Sequence, residues 1–258
     1  MHFYQVIIGS EILNRRRTDR HFDFLSSELL KRGERLYASL VVEDESSLIE
    51  NIFNLVKNDP RSVMFSFGGI GSTPDDLTRE IAAKVFTGKP LLVHEEAKRR
   101  ILERFGEEAY PHRIRMAELP EGANLLDNPV NNVPGFSLKN RFFFVPGFPQ
   151  MAHPMIIRAL DSLLPEKSTL YRKSFTALTS ENDLIDMMQK AAGDRSVEIS
   201  SLPAFCGSKR IAVISIASAD KRAVKRWYDA FLSYMKERKI DWVEGDRHSD
   251  PDICDSKG

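Results

Sequence analysis

Two hydrophobic rhythms alternate along the first part of the chain. Short runs of aromatic and β-branched residues, Phe3–Ile8, Leu36–Val42 and Ser62–Phe67, have the length and density of buried strands. Between them the apolar residues fall three and four apart. Thr18–Arg32 lines up Phe22, Leu25 and Leu29 and stops at Gly33, a helix with a glycine stop signal. Glu45–Lys57 puts Leu48, Ile52, Phe53 and Val56 on one face, and Pro74–Phe86 does so with Leu77, Ile81 and Val85. Strands and helices in succession predict βαβ units, hence a mostly parallel sheet covered on both faces.

Glu95–Phe105 predicts a further helix, with Ala97, Ile101, Leu102 and Phe105 inward. Tyr110–Pro146 is richer in proline, asparagine and glycine and holds one strong strand, Arg141–Val145. Its run Phe142-Phe143-Phe144 suits a central strand, which needs apolar residues on both faces, better than a stacking platform. Met151–Leu164 predicts a helix, and Pro165-Glu166-Lys167-Ser168 a linker. Beyond it the rhythm changes. Ser168–Leu178, Val197–Leu202, Ile211–Ile216 and Ile240–Val243 read as strands, and Ser180–Ala192 and Ser218–Arg238 as helices. That order, β-α-β-β-α-β, is the ferredoxin-like arrangement. The predicted fold is therefore a three-layer α/β domain over residues 1–165, a smaller ferredoxin-like α+β domain over 166–244, and a polar tail over 245–258.

Composition adds limits. A length of 258 residues suits two domains, and 42% apolar with 29% charged residues suits an ordinary soluble core. Lys+Arg and Asp+Glu both number 37, so no global field favours nucleic acid or an anionic membrane. Cys206 and Cys254 lie far apart and read as free thiols of a reducing compartment. The N-terminus shows no signal-peptide pattern, and no run approaches the ~20 apolar residues of a membrane span. The expectation is a cytoplasmic protein.

The candidate chemistry sits at Phe67-Gly68-Gly69-Ile70-Gly71-Ser72-Thr73-Pro74-Asp75-Asp76-Leu77-Thr78, where a strand hands over to a helix. In open α/β sheets ligands bind at the carboxyl ends of strands. Glycines let backbone N–H groups approach a ligand, and a helix start offers unpaired donors to a phosphate. The same residues also spell a plain helix start, with Thr73 as N-cap, Pro74 at N1 and Asp76 at N3. Three glycines within four residues, the strand-end position and two adjacent carboxylates point beyond a cap. Carboxylates beside phosphate are the usual grip on a divalent metal. Arg15-Arg16-Arg17 could meet a phosphate, although a solvated loop is the more frequent explanation of so short a run. The six histidines show no metal-ligand spacing, and no Gly-x-Ser-x-Gly elbow is present.

The glycine loop closely resembles the signature of the competence/damage-inducible protein A family, within the molybdopterin-binding fold. Ile8-Gly9-Ser10-Glu11-Ile12-Leu13 is similar to that family's opening Gly-Asp-Glu-Leu motif, and His112–Ala123 to its Asn-Arg-x-Lys-Gln-Ala-x-x-Pro-x-Gly-Ala segment. Asn128-Pro129-Val130, Pro134-Gly135-Phe136 and Val145-Pro146-Gly147-Phe148-Pro149 match its later loops. Departures fall in the same places. Ser10 stands for an aspartate, Ser72 for a proline, Asn131-Asn132-Val133 for Gly-Thr-Ala, and Arg115 and Met116 for lysine and glutamine. A serine cannot ligate a divalent cation as an aspartate does, and two asparagines add bulk where glycine allowed close approach.

The resemblance implies a short form without the deamidase domain of longer members, a homodimer, and metal-dependent hydrolysis of a nucleotide pyrophosphate such as ADP-ribose or FAD. Asp75 and Asp76 would be the catalytic pair, holding a divalent metal (magnesium or cobalt), with potassium as a further candidate cofactor. Gly68, Gly69, Gly71, Ser72, Thr73, Ser10, Glu11, Arg115, Asn131, Pro146 and Gly147 would line the ligand site. The alternative is a module that binds a pterin or nucleotide without turnover, which Ser10 and Asn131-Asn132 favour. The second domain is expected to contribute to the dimer contact, because its long helix carries aromatic residues.

Overall fold

The computed structural model describes residues 1–165, 170–206 and 209–247. The expected linker beyond Pro165, most of the polar tail, Cys254 and the side chain of Cys206 lie outside them. The chain divides into two compact units, Met1–Lys167 and Ser168–Gly258.

The first unit is built on a six-stranded sheet. Strands β1 (His2–Ile8), β2 (Leu36–Val42), β3 (Ser62–Phe67) and β8 (Phe142–Val145) are parallel neighbours in the order β2-β1-β3-β8. The antiparallel strands β7 (Gly135–Leu138) and β6 (Asn124–Leu126) complete the edge. Strand β3 is buried at every residue, as a central parallel strand must be when helices cover both faces. One face carries Tyr4, Val6, Ile8, Met64, Phe142 and Phe144. It packs against α3 (Ser46–Asn58), α4 (Thr78–Ala82) and α5 (Glu95–Phe105). The other face carries Phe3, Ile7, Phe65, Phe67 and Phe143, under α2 (His21–Leu30) and α6 (Pro149–Leu163). The phenylalanine run of β8 thus serves both cores, Phe142 and Phe144 on one side and Phe143 on the other. The α/β expectation holds.

Several boundaries differ from the sequence pattern, each for a local reason. The helix expected from Pro74 begins at Thr78, because residues 73–77 are drawn into the glycine loop. It continues past Ala82 as a π turn, Ala83–Thr87, where the Lys57 ammonium takes the Val85 carbonyl at 2.6 Å. The edge strands β6 and β7 were not foreseen; at three and four residues, either side of a proline-containing loop, they show no readable period. A short pair, β4 (Leu92–Val93) with β5 (Glu118–Leu119), and the one-turn helix α1 (Ser10–Leu13) were missed for the same reason.

The second unit has strands β9 (Tyr171–Ala177), β10 (Glu198–Cys206), β11 (Lys209–Ser218) and β12 (Trp242–Glu244), with helices α7 (Ile185–Ala192) and α8 (Lys221–Glu237). The antiparallel order β10-β11-β9-β12 is the ferredoxin-like one. Asp220 caps α8, its side chain accepting from the Arg222 amide at 2.8 Å. The buried stripe of α8 is Val224, Tyr228, Phe231 and Met235, packed on Phe175 and Ile214 of its own unit. Its aromatic residues are therefore largely used inside the unit and give no argument for a dimer contact.

Candidate functional site

The parallel strands β1, β3 and β8 end side by side, and a cavity of about 470 Å³ opens beyond them. Ile8 and Gly9 come from the end of β1, the glycine loop from β3, and Pro146 and Gly147 from β8. Neighbouring parallel strands present their carboxyl ends on one edge of the sheet, so residues distant in sequence meet there. The volume lies in the ~300–1,000 Å³ range of small-molecule pockets.

The glycine loop closes on itself. Gly68 takes φ 100° and Gly69 φ 68°, conformations that favour glycine. A Cβ at Gly68 would lie 2.3 Å from the Ile8 carbonyl oxygen, one at Gly69 2.2 Å from Thr78 Oγ1, and one at Gly71 2.5 Å from Asp76 Oδ2. Backbone conformation and close contacts together thus demand glycine at 68 and 69, and the Asp76 carboxylate crowds position 71. Asp76 turns back into the loop. Its Oδ1 accepts from the Gly71 amide at 2.8 Å, and its Oδ2 accepts from the Thr73 amide at 2.8 Å and the Thr73 hydroxyl at 2.6 Å. Thr73 therefore does not cap a helix with its side chain. The Thr73–Asp76 pair reproduces half of a capping box on a single isolated turn. The Asp75 carboxylate lines the cavity, is exposed, and has no bonded partner among the described residues. The amides of Gly69, Ile70 and Ser72, residues that also line the cavity, have no acceptor among the described residues.

Beneath the loop lies Arg79, which the periodicity argument passed over. Its side chain is buried and donates to the carbonyls of Gly71 at 2.8 Å, Glu118 at 3.1 Å and Arg115. Burial lowers its pKa, with the Asp76 carboxylate opposing. One guanidinium ties the glycine loop to the segment that forms another wall.

The opening motif splits in role. Glu11 lines the cavity; Ser10 does not. The Ser10 amide and hydroxyl donate to Asp44 Oδ2 at 2.8 and 2.9 Å, which brings Asp44 to the cavity instead. Asp44 Oδ1 has no bonded partner among the described residues. Its placement just beyond β2 was the overlooked cue, since β2 is another parallel strand ending at this edge. Arg17, weighed as a solvated loop residue, also lines the cavity. Asn131 lines it too, with its Oδ1 accepting from Asn128 Nδ2 at 2.7 Å and the Val133 amide at 3.0 Å. Asn131 therefore braces its own loop.

Arg115 is a correction. It is half exposed, reaches Glu80 at 3.8 Å and does not line the cavity; Arg113 and Met116 do. Residues 113–117 form a 3-10 turn, in which positions three apart eclipse one another, so Arg113 and Met116 share the inward face and Arg115 points elsewhere. Phe105, Met116, Val133, Phe148 and Met151 make the apolar wall.

A divalent metal does not find a prepared cage. Both oxygens of Asp76 are committed to the loop, and among the described residues no three His, Cys, Asp or Glu side chains gather closely enough to hold an ion. Asp75 and Asp76 are therefore not an equivalent ligand pair.

Behind Gly147 two histidines meet. His21 is buried against the Phe67 ring at 4.4 Å, with its Nε2 3.2 Å from the Gly147 carbonyl oxygen and its Nδ1 3.3 Å from His153 Nε2. Burial lowers the pKa of His21, and burial with the neighbouring His21 brings His153 down to about 4. A neutral His21 donating to Gly147 from Nε2 presents Nδ1 as acceptor to His153.

The fold is thus an α/β protein with a cavity at the carboxyl edge of its parallel strands, beside a glycine loop. The sequence model of the family described as a probable molybdopterin binding domain matches residues 5–166, and the chain belongs to that family. A putative competence-damage inducible protein of Bacillus pumilus is 30% identical over 174 residues, which are 65% of this chain but 41% of the relative. A protein of Pyrococcus abyssi is 26% identical over 253 residues, 93% of this chain and 98% of its own length. The chain thus spans less than half of the Bacillus relative and nearly all of the Pyrococcus one. The crystal structure of the protein CinA with unknown function from Thermoplasma acidophilum superposes with a TM-score of 0.57 and 26% identity. It covers 64% of this chain and 99% of that chain. Among the described residues no helix is long and apolar enough to cross a membrane.

Proposed function

We propose that the cavity binds a phosphorylated heterocycle of the pterin or nucleotide class. The observation that carries this is the division of its walls: unpartnered amides at Gly69, Ile70 and Ser72 on one side, and Phe105, Met116, Phe148 and Met151 on the other. Backbone donors suit phosphate oxygens, and aromatic and thioether surfaces suit a flat ring. Asp44, held by Ser10 with one oxygen free, suits the amino edge of such a ring.

A second reading, hydrolysis of a pyrophosphate bond as in ADP-ribose or FAD, rests on Asp75, the uncommitted carboxylate of the loop. Among the described residues no three His, Cys, Asp or Glu side chains gather to hold the metal that reading calls for. Thermal shift and product analysis with a pterin phosphate, ADP-ribose and FAD, each with and without magnesium or cobalt, separate the two. Saturable stabilisation without products is the expected outcome; cleavage selects the hydrolase, and no response to any of the ligands overturns both.

A further inference from the structure

His21 stands at the start of α2, behind the β8 side of the cavity, and is buried. Both of its ring nitrogens are engaged, Nε2 at 3.2 Å from the Gly147 carbonyl oxygen and Nδ1 at 3.3 Å from His153 Nε2. A carbonyl can only accept, so His21 carries its proton on Nε2. Its Nδ1 is then an acceptor, and His153 must donate from Nε2. One tautomer of each ring satisfies both contacts. Stacking fixes the two ring planes, His21 on Phe67 at 4.4 Å and His153 on Phe24 at 3.7 Å. Both rings are neutral at neutral pH, since burial lowers their pKa values.

The Gly147 carbonyl matters because of the other side of its peptide. The 147–148 bond is trans, and a trans peptide holds its C=O and N–H on opposite sides. With the oxygen drawn to His21, the Phe148 amide faces away from that ring. This amide has no acceptor among the described residues. Gly147 and Phe148 both line the strand-end cavity, and His21 does not. Gly147 also runs close to the glycine loop, where a Cβ on it would lie 3.5 Å from Gly68 Cα.

We propose that His21 is a positioning residue for the cavity: its bond to the Gly147 carbonyl aims the Phe148 amide at an oxygen acceptor of the bound ligand, and His153 holds His21 in the tautomer that makes this bond. The donor is set by two side chains that do not touch the ligand. This rests on the phosphorylated-heterocycle reading above, since such a ligand carries the acceptor oxygens.

The test has two parts, both on the full chain. Nitrogen NMR of labelled histidine at neutral pH should find Nε2 protonated and Nδ1 bare in both rings. A proton on Nδ1 of His21 overturns the inference without any variant. ADP-ribose, with no metal added, is then titrated by calorimetry and by amide NMR into the parent, His21→Leu and His21→Gln. The Phe148 amide resonance should move on saturation of the parent. Leucine keeps apolar packing but donates nothing, and should weaken binding about fivefold, the scale of one neutral hydrogen bond. Glutamine, with a side-chain N–H donor, should recover part of that loss, which a merely structural role for the ring would not predict. If the parent binds ADP-ribose with the Phe148 amide unmoved, or His21→Leu binds as the parent does, the inference is overturned while the binding reading stands. If the parent does not bind ADP-ribose, that reading falls and the inference with it.

Discussion

The Asp76 carboxylate accepts the Gly71 amide at 2.8 Å across five residues, closing the glycine loop from inside. Its neighbour Asp75 has no such duty, so the two aspartates should behave differently when changed one at a time. Asp76→Ala removes three charge-assisted acceptor contacts and should cost about 1–3 kcal/mol of stability in the first unit. Asparagine at 76 should also cost stability, because its NH₂ cannot accept from the amide it would face. Asp75→Asn should leave the melting temperature near the parent's. Denaturation of the two single variants checks this; equal losses would show that Asp76 is not the brace.

The glycines offer a second test. Gly69→Ala forces a Cβ to 2.2 Å from Thr78 Oγ1 at a backbone of φ 68°. The expected loss is about 1–3 kcal/mol, with binding of phosphate to the neighbouring amides reduced. A crystal structure of the variant with an unmoved loop would contradict the packing argument.

Arg79 joins two walls of the cavity through backbone carbonyls. Arg79→Met keeps much of the volume but strands the Gly71 and Glu118 carbonyls, and about 2–4 kcal/mol should be lost. Hydrogen exchange should rise in both segments, 68–77 and 113–119. A rise confined to one of them would refute the link.

The His21–His153 pair predicts a pH dependence with a definite sign. Both pKa values lie below the unfolded value of ~6.5, that of His153 at about 4. The unfolded chain therefore binds more protons between those limits. The pair's contribution is complete above pH ~6.5 and is lost as the pH falls toward 4. His153→Phe, which can keep the stack on Phe24 at 3.7 Å, should flatten the melting curve's dependence on pH in that window. An unchanged slope would remove the pair from the acid response.

The sequence by itself determined the elements with a clear period and the place of the loop. Ser62–Phe67 and Glu95–Phe105 fall where the apolar spacing put them, since strand and helix periods are local properties of the backbone. So does the glycine turn after β3, because the positive φ of Gly68 and Gly69 selects glycine locally. Tertiary structure decided what each charged residue does there. Ser10 meets Asp44 across 34 residues, His21 meets Gly147 across 126, and neither separation has a period to read. Arg113 replaces Arg115 because a 3-10 turn, set by packing against α5, rotates one inward and the other away. Asp76, although it lines the cavity, braces the loop because the chain folds back to place the amides of Gly71 and Thr73 against its carboxylate. Periodicity fixes which face of an element is buried; which polar groups then converge depends on the register and crossings that bring distant strand ends together.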